Sequence, residues 1–283
     1  MDEHNIMMQT TLVPLHNRVI TKGLVEIQDV SVSFNRGVQS IRVLESVNLK
    51  VRPGSFACLL GPSGCGKSTL LNLIAGFLSP SHGTISVDKE SISRPSADRG
   101  FVFQQYSLLP WKTTFQNVEL GLKIKGMPKT ERTDLVNHYL NRVGLYKHRH
   151  SYPNQLSGGM QQRASIIRAL VNSPSVLLMD EPFAALDAQT RHMMQELLLD
   201  IWKDCQITVI FVTHDIEEAV FLGDEIFVMG VNPGTIKEKL SVLLKRPRHI
   251  DDMMTPEFVG ITRQVFEHIR EETLKSMKQA EAA

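Results

Sequence analysis

The sequence has 283 residues, of which 42% are hydrophobic and 22% are charged, as is usual for a soluble globular protein. The formal net charge is only +1, so overall charge does not indicate a nucleic-acid-binding protein. Three cysteines do not make a disulfide framework, no run of about 20 apolar residues predicts a membrane span, and the polar start does not resemble a secretory signal.

Strands and helices are predicted to alternate along most of the chain. Residues 1–22 are polar and without sustained periodicity, so we expect an extension there. The later elements, in order, are predicted as strands at 24–34, 41–51 and 55–60, a helix at 68–77, strands at 83–87 and 100–103, mainly helices over 115–172, a strand at 175–179, a helix at 189–202, a strand at 207–212, a helix at 216–221, a hairpin over 226–239 and a helix at 256–277.

Three short apolar runs, 56–60, 175–179 and 207–212, contain almost no polar residues. Strands of this kind are buried on both faces, which is typical of a parallel sheet covered by helices. The alternation of such strands with helices predicts an α/β fold with a mostly parallel sheet.

A glycine-rich segment between a predicted buried strand and a predicted helix carries the first functional motif. Its first eight residues, 61–68, fit the pattern G-x-x-x-x-G-K-[ST], and Thr69 follows. Glycines let backbone N–H groups approach phosphate oxygens, and the following helix adds its positive end. Lys67 can reach the outer phosphates, and the Ser68 hydroxyl can ligate Mg²⁺. The predicted nucleotide-binding residues are Gly61, Pro62, Ser63, Gly64, Cys65, Gly66, Lys67, Ser68 and Thr69.

The loop alone does not distinguish kinases, GTPases, helicases and transport ATPases. Its cysteine, Cys65, has two interpretations. A helix N-terminus favours a thiolate, so alkylation would block ATP binding and Mg-ATP would protect. The alternative is a small residue that only fills space.

Acidic residues end the second buried strand, where Asp180 and Glu181 follow four apolar residues. The carboxyl ends of parallel strands face the ligand crevice of an open α/β sheet. Asp180 is therefore placed to hold the hydrated Mg²⁺. Glu181 points the other way and can act as a general base on a water aligned with the γ-phosphate. His214 follows the third buried strand and reaches the same crevice, either as a functional residue or as a packed or capping one.

The segment Leu156-Ser157-Gly158-Gly159-Met160-Gln161-Gln162-Arg163 opens a predicted helix with small residues. It forms a second potential anion site, or simply a helix capped by Ser157. With the phosphate loop, the acidic strand end, Ala185-Leu186-Asp187 and His214 in the same order, the sequence resembles the ATP-binding subunits of ABC transporters. The resemblance covers residues 24–239.

This resemblance implies the ABC ATPase fold, in which a P-loop NTPase core carries an antiparallel β part near the N-terminus and an inserted helical subdomain at about 106–172. We expect the ATPase domain to span 23–240, with a C-terminal linker and helix at 241–283. The basic run 245–249 is expected to be part of that linker, the alternative being a lipid contact.

The resemblance also implies a homodimer, or a heterodimer with a similar subunit, in which ATP drives closure. Ser157, Gly158 and Gly159 of one chain would close over ATP held by the other, and Asp187 would contact the partner. Phe34 would stack on adenine. Gln104, with Gln105 as the alternative, would sense Mg²⁺ and the attacking water. His214 would hydrogen bond the γ-phosphate.

The aromatic and leucine-rich segment that follows Gln104 has a further implied role. In this family the region grips a helix of the transmembrane permease, so Gln104 to Trp111 is the predicted contact; the alternative is a core cluster of the helical subdomain. Runs at 108–111, 183–191 and 215–219 resemble importers of nitrate, taurine and alkanesulfonates. The implied complex has a substrate-binding protein, lies at the cytoplasmic side of the plasma membrane and binds no nucleic acid.

Two other functions were considered. A soluble ABC ATPase that acts on DNA or ribosomes would need a coiled-coil insertion or a second ATPase half, and neither is seen in the sequence. A nucleotide-binding scaffold without turnover is disfavoured by Glu181. A metal site at His138, His148 and His150 lacks ligand spacing, so we expect a solvated surface there.

Overall fold

A computed structural model describes residues 22–36 and 39–281; the predicted extension over 1–22 lies almost wholly outside these residues. The strands are β1 (Val25–Arg36), β2 (Gln39–Val51), β3 (Phe56–Leu60), β4 (His82–Val87), β5 (Glu90–Ser91), β6 (Arg99–Val102), β7 (Val176–Asp180), β8 (Thr208–Thr213), β9 (Glu225–Gly230) and β10 (Thr235–Ser241). The α-helices are α1 (Lys67–Ala75), α2 (Thr114–Ile124), α3 (Lys129–Arg142), α4 (Gly158–Leu170), α5 (Ala188–Cys205), α6 (Ile216–Leu222) and α7 (Pro256–Glu281).

Two sheets form the frame. The larger has the strand order β10-β9-β3-β8-β7-β6, and its strands are parallel except for β10. The smaller has the order β2-β1-β4-β5 and is antiparallel. The prediction of an α/β fold with a mostly parallel sheet and an antiparallel part near the N-terminus is therefore confirmed.

The central strands are buried because they separate two hydrophobic cores. Along β3, Phe56, Cys58 and Leu60 point into a core shared with α2 to α7. Ala57 and Leu59 point into the other core, which α1 and the antiparallel sheet share. Alternate side chains of a strand leave on opposite faces, so a continuous apolar run is what such a position requires.

The helical part lies between β6 and β7. Helices α2, α3 and α4 pack on one another, and α4 also packs on β6. A capping box at Thr113 starts α2, since the Thr113 side chain accepts from Gln116 N–H and the Gln116 side chain accepts from Thr113 N–H. The expectation of mainly helical structure over 115–172 is confirmed.

Several local expectations are wrong. Helix α1 ends at Ala75, where Gly76 caps it in the left-handed conformation, so Phe77 lies beyond the helix and is 46% exposed. Met193 is 58% exposed instead of lying with Ile201 on the buried face of α5. The short strand β5 was not expected. Within the described residues, no helix combines the length and apolar character needed to span a bilayer.

The basic run before α7 is not a free linker. Arg248 is buried and donates to the carbonyls of Val220, Phe221 and Gly223 at the end of α6. Arg246 pairs with Asp224 at 2.8 Å and stacks over the Trp202 ring. These guanidinium groups satisfy carbonyls that a helix end leaves without partners, so the segment is bound to the end of α6 just before the C-terminal helix. The assignment of 241–283 as a linker and helix stays a prediction, with Arg246 and Arg248 bound near the end of α6.

Candidate active site

Four neighbouring parallel strands end at one edge of the large sheet. The register pairs Leu60 of β3 with Thr213 of β8, Asp180 of β7 with Val212 of β8, and Val102 of β6 with Met179 of β7. The residues that follow these strands therefore share one crevice, as the carboxyl ends of parallel strands do. The fold thus brings together the phosphate loop, His214, the acidic pair and Gln104.

The phosphate loop turns from β3 into α1 through two glycines in the left-handed conformation, Gly64 (φ +81°) and Gly66 (φ +95°). Only glycine adopts such angles at little cost. Helix α1 begins at Lys67, so its N-terminal N–H groups face the loop. Buried Lys67 donates from Nζ to the carbonyls of Gly61 at 2.8 Å and Pro62 at 3.0 Å. The loop therefore holds its cation inside the turn, beside the N-terminus of α1.

The expectation of a reactive thiolate at Cys65 is wrong. Its side chain is fully buried, and burial raises the pKa of the thiol, which Lys67 only partly opposes. Gly234 of the loop before β10 also packs closely on the Cys65 carbonyl. The structure therefore supports the space-filling interpretation.

One pair of oxygen donors joins the loop to the acidic strand end. The Ser68 hydroxyl donates to Asp180 Oδ1 at 3.0 Å. Burial raises the pKa of the Asp180 carboxyl, and the Ser68 hydrogen bond opposes this shift. A divalent cation beside Asp180 would favour its charged form. The hydroxyl and carboxylate are hard oxygen ligands of the kind that Mg²⁺ takes alongside phosphates and water, so the residues present fit that ion.

A second polar pair lies at the ends of β7 and β8. Glu181 Oε2 is 3.1 Å from His214 Nδ1. Glu181 has a positive φ of 43°, and its N–H donates to Val212 O across the sheet edge. A non-glycine residue held in this region is strained and is found mostly at functional sites. The strand end therefore turns Glu181 away from Asp180 and toward the histidine, a contact that the sequence analysis did not anticipate.

The segment after β6 is largely exposed. Gln104 and Gln105 are both exposed, so the structure does not choose between them. Phe103 packs on Phe101 and stacks with Phe77, which forms an aromatic cluster at the surface. Trp111 is 70% exposed. Although Leu108 packs against the core, the segment as a whole is not the buried cluster that was the alternative.

The signature residues begin α4. Ser157 is its N-cap and accepts from Met160 N–H at 3.4 Å. A methyl group added at Gly158 would lie 2.8 Å from the Tyr106 hydroxyl oxygen, and one added at Gly159 would lie 2.9 Å from Thr190 Cγ2. The N-terminus of α4 is therefore flanked by Tyr106, from the segment after β6, and by Thr190, from the first turn of α5.

The other predicted residues lie around this edge. Asp187 is the N-cap of α5, and the backbone hydrogen bond from Thr190 lowers the pKa of its carboxyl. Phe34 is a half-exposed side chain of β1, in register with Ile41 of β2; its role with adenine stays a prediction. For the three histidines, the described residues contain no group of three or more His, Cys, Asp or Glu that could hold a metal ion.

The sequence analysis missed the polar residues behind His214. Arg191 and Gln195 of α5 meet Asp215 and Glu218 of α6 through an ion pair and a hydrogen bond. A signal was available, because Arg191 and Gln195 stand four residues apart, on one helix face. The apolar positions of α5 alone do not indicate this polar face.

The sequence is similar to proteins of one family. The sequence profile of the ABC transporter family matches residues 44–184. An ABC transporter ATP-binding protein of Methanocaldococcus jannaschii is 44% identical, over 91% of this chain and 95% of that protein. The nitrate import ATP-binding protein NrtD of Synechocystis sp. is 49% identical, over 77% of this chain and 82% of that protein. The taurine import ATP-binding protein TauB of Yersinia pestis is 53% identical, over 70% and 78%.

Solved structures agree. A dimeric ATP-binding cassette in a post-hydrolysis state, bound to ADP and Pi, superposes with a TM-score of 0.70 and is 35% identical, covering 78% of this chain and 100% of that one. Because a relative is 44% identical over 91% of this chain, the chain belongs to the ATP-binding proteins of ABC transporters, and it is an ATPase.

Proposed function

We propose that this chain is the ATP-hydrolysing subunit of an importer for a small anion such as nitrate, taurine or an alkanesulfonate. The cargo class rests on the nitrate and taurine import proteins, which are 49% and 53% identical to this chain. The chemistry rests on one observation, the two polar pairs Ser68–Asp180 and Glu181–His214 at a single sheet edge.

The phosphate loop holds the triphosphate. Backbone N–H groups and the N-terminus of α1 surround the phosphates, and Lys67 exchanges its loop carbonyl partners for the outer phosphates. Phe34 stacks on adenine. Ser68 and Asp180, with Gln104, would hold Mg²⁺, and the ion would neutralise charge on the phosphates.

Glu181 is the general base of the hydrolysis. It takes the proton of the attacking water. Glu181 directly follows the metal-binding Asp180 but is turned away from it, so the two carboxylates can have different roles. His214 hydrogen bonds the γ-phosphate, and its contact with Glu181 holds both side chains at the reacting centre.

Two chains complete each site. Ser157, Gly158 and Gly159 of one subunit close over the γ-phosphate bound by the other, and Asp187 contacts the partner. The dimeric form of the similar solved cassette supports this arrangement. The partner is a second copy or a similar ATPase subunit, and closure and ATP binding are one event.

The permease contact is the segment Gln104–Trp111. The exposure of Trp111 supports this assignment, as do the ring contacts that Phe103, just before Gln104, makes with Phe77 and Phe101, since a partner helix can bind exposed apolar side chains. The subunit then lies peripherally on the cytoplasmic face of the plasma membrane, and a substrate-binding protein completes the importer.

Glu181→Gln tests the chemistry. The change should lower turnover by roughly 100-fold or more, the contribution of a general base, while ATP binding and an ATP-bound dimer are kept. Glu267→Gln, on the exposed face of α7, is the control and should leave turnover unchanged. Hydrolysis at the wild-type rate in Glu181→Gln would overturn the assignment.

Co-purification with a permease tests the transport role. The complex in membrane vesicles should hydrolyse ATP faster when a binding protein loaded with nitrate, taurine or an alkanesulfonate is added. ATPase activity stimulated by DNA or ribosomes instead would favour a soluble ABC ATPase.

A further inference from the structure

A polar layer lies directly behind the Glu181–His214 pair, between α5 and α6. Its outer part joins Arg191 to Asp215, the residue after His214. Its inner part is a buried hydrogen bond of 3.0 Å from Gln195 Nε2 to Glu218 Oε1. Polar groups in such a position need partners, and here the partners come from the opposite helix.

Arg191 makes two contacts that join separate loops. One guanidinium nitrogen donates to the carbonyl of Leu186 at 3.2 Å, in the loop before α5. The other lies 3.5 Å from Asp215 Oδ2. The planar guanidinium group holds two acceptors in a fixed relation. Arg191 therefore fixes the loop before α5 relative to the backbone of His214.

Asp215 is itself held on its other side. Its Oδ1 accepts from Glu218 N–H at 3.1 Å as the N-cap of α6, and its own N–H donates to Thr213 Oγ1 at 3.0 Å. One carboxylate oxygen of Asp215 thus caps α6, and the other contacts Arg191. Loss of the arginine would release one of these two restraints.

The first turn of α5 also touches the signature helix. Thr190, next to Arg191, is the side chain nearest to a methyl group placed at Gly159. One turn of helix therefore contacts the start of α4 on one side and the neighbour of His214 on the other. A shift at the signature would reach the histidine of the same subunit through two adjacent residues.

We propose that Arg191 is a positioning residue for hydrolysis, which sets His214 through Asp215 and ties it to the loop before α5 and the signature helix. This inference rests on the proposed role of His214. It predicts that loss of the arginine lowers turnover and leaves nucleotide binding unchanged. The reason is that Arg191 contacts Asp215, next to His214, and makes no contact with the phosphate loop.

The first experiment compares three purified variants. Arg191→Met keeps an unbranched apolar stem and removes both guanidinium contacts. Asp215→Asn keeps an N-cap acceptor for α6 and removes the negative partner of Arg191. Arg142→Met is the matched control, since Arg142 makes ion pairs with Asp200 and Asp204 on the same helix, α5, near its other end.

Arg191→Met and Asp215→Asn should each lower kcat by roughly tenfold with KM for ATP unchanged, since misplacing a reacting group by ~1 Å can cost ~100-fold. Arg142→Met should keep wild-type kcat. Arg191→Lys, which retains a charge for one acceptor, should recover part of the loss. A fall in kcat that Arg142→Met shares would mark a general effect of lost ion pairs and overturn the proposal.

The second experiment combines Arg191→Met with His214→Ala. If the arginine acts through the histidine, the double variant should be no slower than His214→Ala alone. Losses that multiply would overturn the proposal. Thermal unfolding shows whether each variant is folded. If Arg191→Met is misfolded, the same double-variant comparison is made with Arg191→Lys and His214→Ala.

The two hypotheses fail in different ways. Wild-type turnover in His214→Ala would end the proposed role of the histidine. A large loss in His214→Ala beside wild-type kcat in Arg191→Met would end only the positioning role.

Discussion

The two predicted halves of the nucleotide site are built very differently. The phosphate-loop half contains charge, because Lys67 is buried inside the turn and the Ser68–Asp180 pair stands beside it. At the signature half, Ser157 caps a helix and two glycines follow, between Tyr106 and Thr190. The first half is a loop that encloses the ammonium group of Lys67, and the second half is the N-terminus of a helix.

This difference explains why one chain carries both. A helix N-terminus offers N–H groups and about half a positive charge, which is too little to hold a triphosphate alone but suits a γ-phosphate already bound elsewhere. In the function proposed above, the phosphate loop binds ATP first, and the signature half of the second subunit recognises the bound nucleotide. Substitutions in one half or the other should separate these two tasks.

Lys67→Ala should abolish the first task. Removing the buried cation leaves the outer phosphates without a charge partner, and loss of one such stabilising group costs roughly 100-fold or more in turnover. ATP affinity and kcat are the measurements, with thermal unfolding as a check because Lys67 also bonds the loop carbonyls. Lys123→Ala, an exposed lysine of α2, is the control. ATP affinity preserved in Lys67→Ala would contradict the cation-site assignment.

Ser157→Asp should abolish the second task alone. Aspartate caps helices as well as serine does, so α4 is kept while a negative charge faces the partner's γ-phosphate. We expect turnover to fall more than ~10-fold, from like-charge repulsion in a closed site, with ATP affinity of the separate chain unchanged. The matched control is Ser157→Asn, which caps equally and is neutral, and should retain most of the activity. Equal losses in the two variants would remove the electrostatic argument.

Mixing the two defective chains tests whether the halves come from different subunits. A dimer of one Lys67→Ala chain and one Ser157→Asp chain has one site with both halves intact. Random pairing should restore roughly a quarter of wild-type sites. No recovery on mixing, in conditions where wild-type chains dimerise, would mean that both halves act within one chain.

The large features of this site could be read from sequence because each had a local cause. The run Phe56 to Leu60 is apolar throughout since both of its faces meet a core, and the glycine pattern at 61–69 is fixed by the backbone turn. Asp180 and His214 were placed at one edge by a rule on parallel strands. The structure then supplied the register that makes their strands neighbours.

Contacts between distant segments could not be read in this way. The Glu181–His214 pair depends on the positive φ of Glu181, and no pattern of residue types predicts that angle. Arg246 and Arg248 looked like a basic linker because their acceptors are backbone carbonyls and Asp224, more than 20 residues away. Arg191 and Asp215 are likewise separated in sequence by most of α5 and by β8, and the fold brings the two side chains together.

Gly158→Ala should weaken the signature half slightly. The new methyl group would meet the Tyr106 hydroxyl at 2.8 Å, so Tyr106 or the start of α4 must shift. We expect kcat to fall by about threefold, a small share of what a 1 Å misplacement costs, with little change in ATP affinity. The control is Gly260→Ala on α7, where nothing lies within 4 Å, and it should stabilise the fold by about 0.5–1 kcal/mol. Unchanged kcat in Gly158→Ala would show that Tyr106 yields without consequence.

Cys65 should have the smallest effect, although it lies in the more sensitive half. Its thiol is buried and burial raises its pKa, so near neutral pH the group is protonated in the folded chain and the thiolate forms only as pH rises above the range of a free cysteine. Iodoacetamide should therefore react slowly at pH 7, with or without Mg-ATP, and faster at higher pH. A Cys205→Ala background removes the half-buried thiol of α5 and leaves Cys65 as the measured group beside fully buried Cys58. Cys65→Ser should keep ATP affinity within about twofold, since the two side chains are similar in size. The serine hydroxyl can also accept the contact that Lys67 Nζ makes with Cys65 Sγ at 3.8 Å. Rapid alkylation at pH 7 that Mg-ATP prevents would instead restore the thiolate and make the loop itself a redox-sensitive part of the phosphate half.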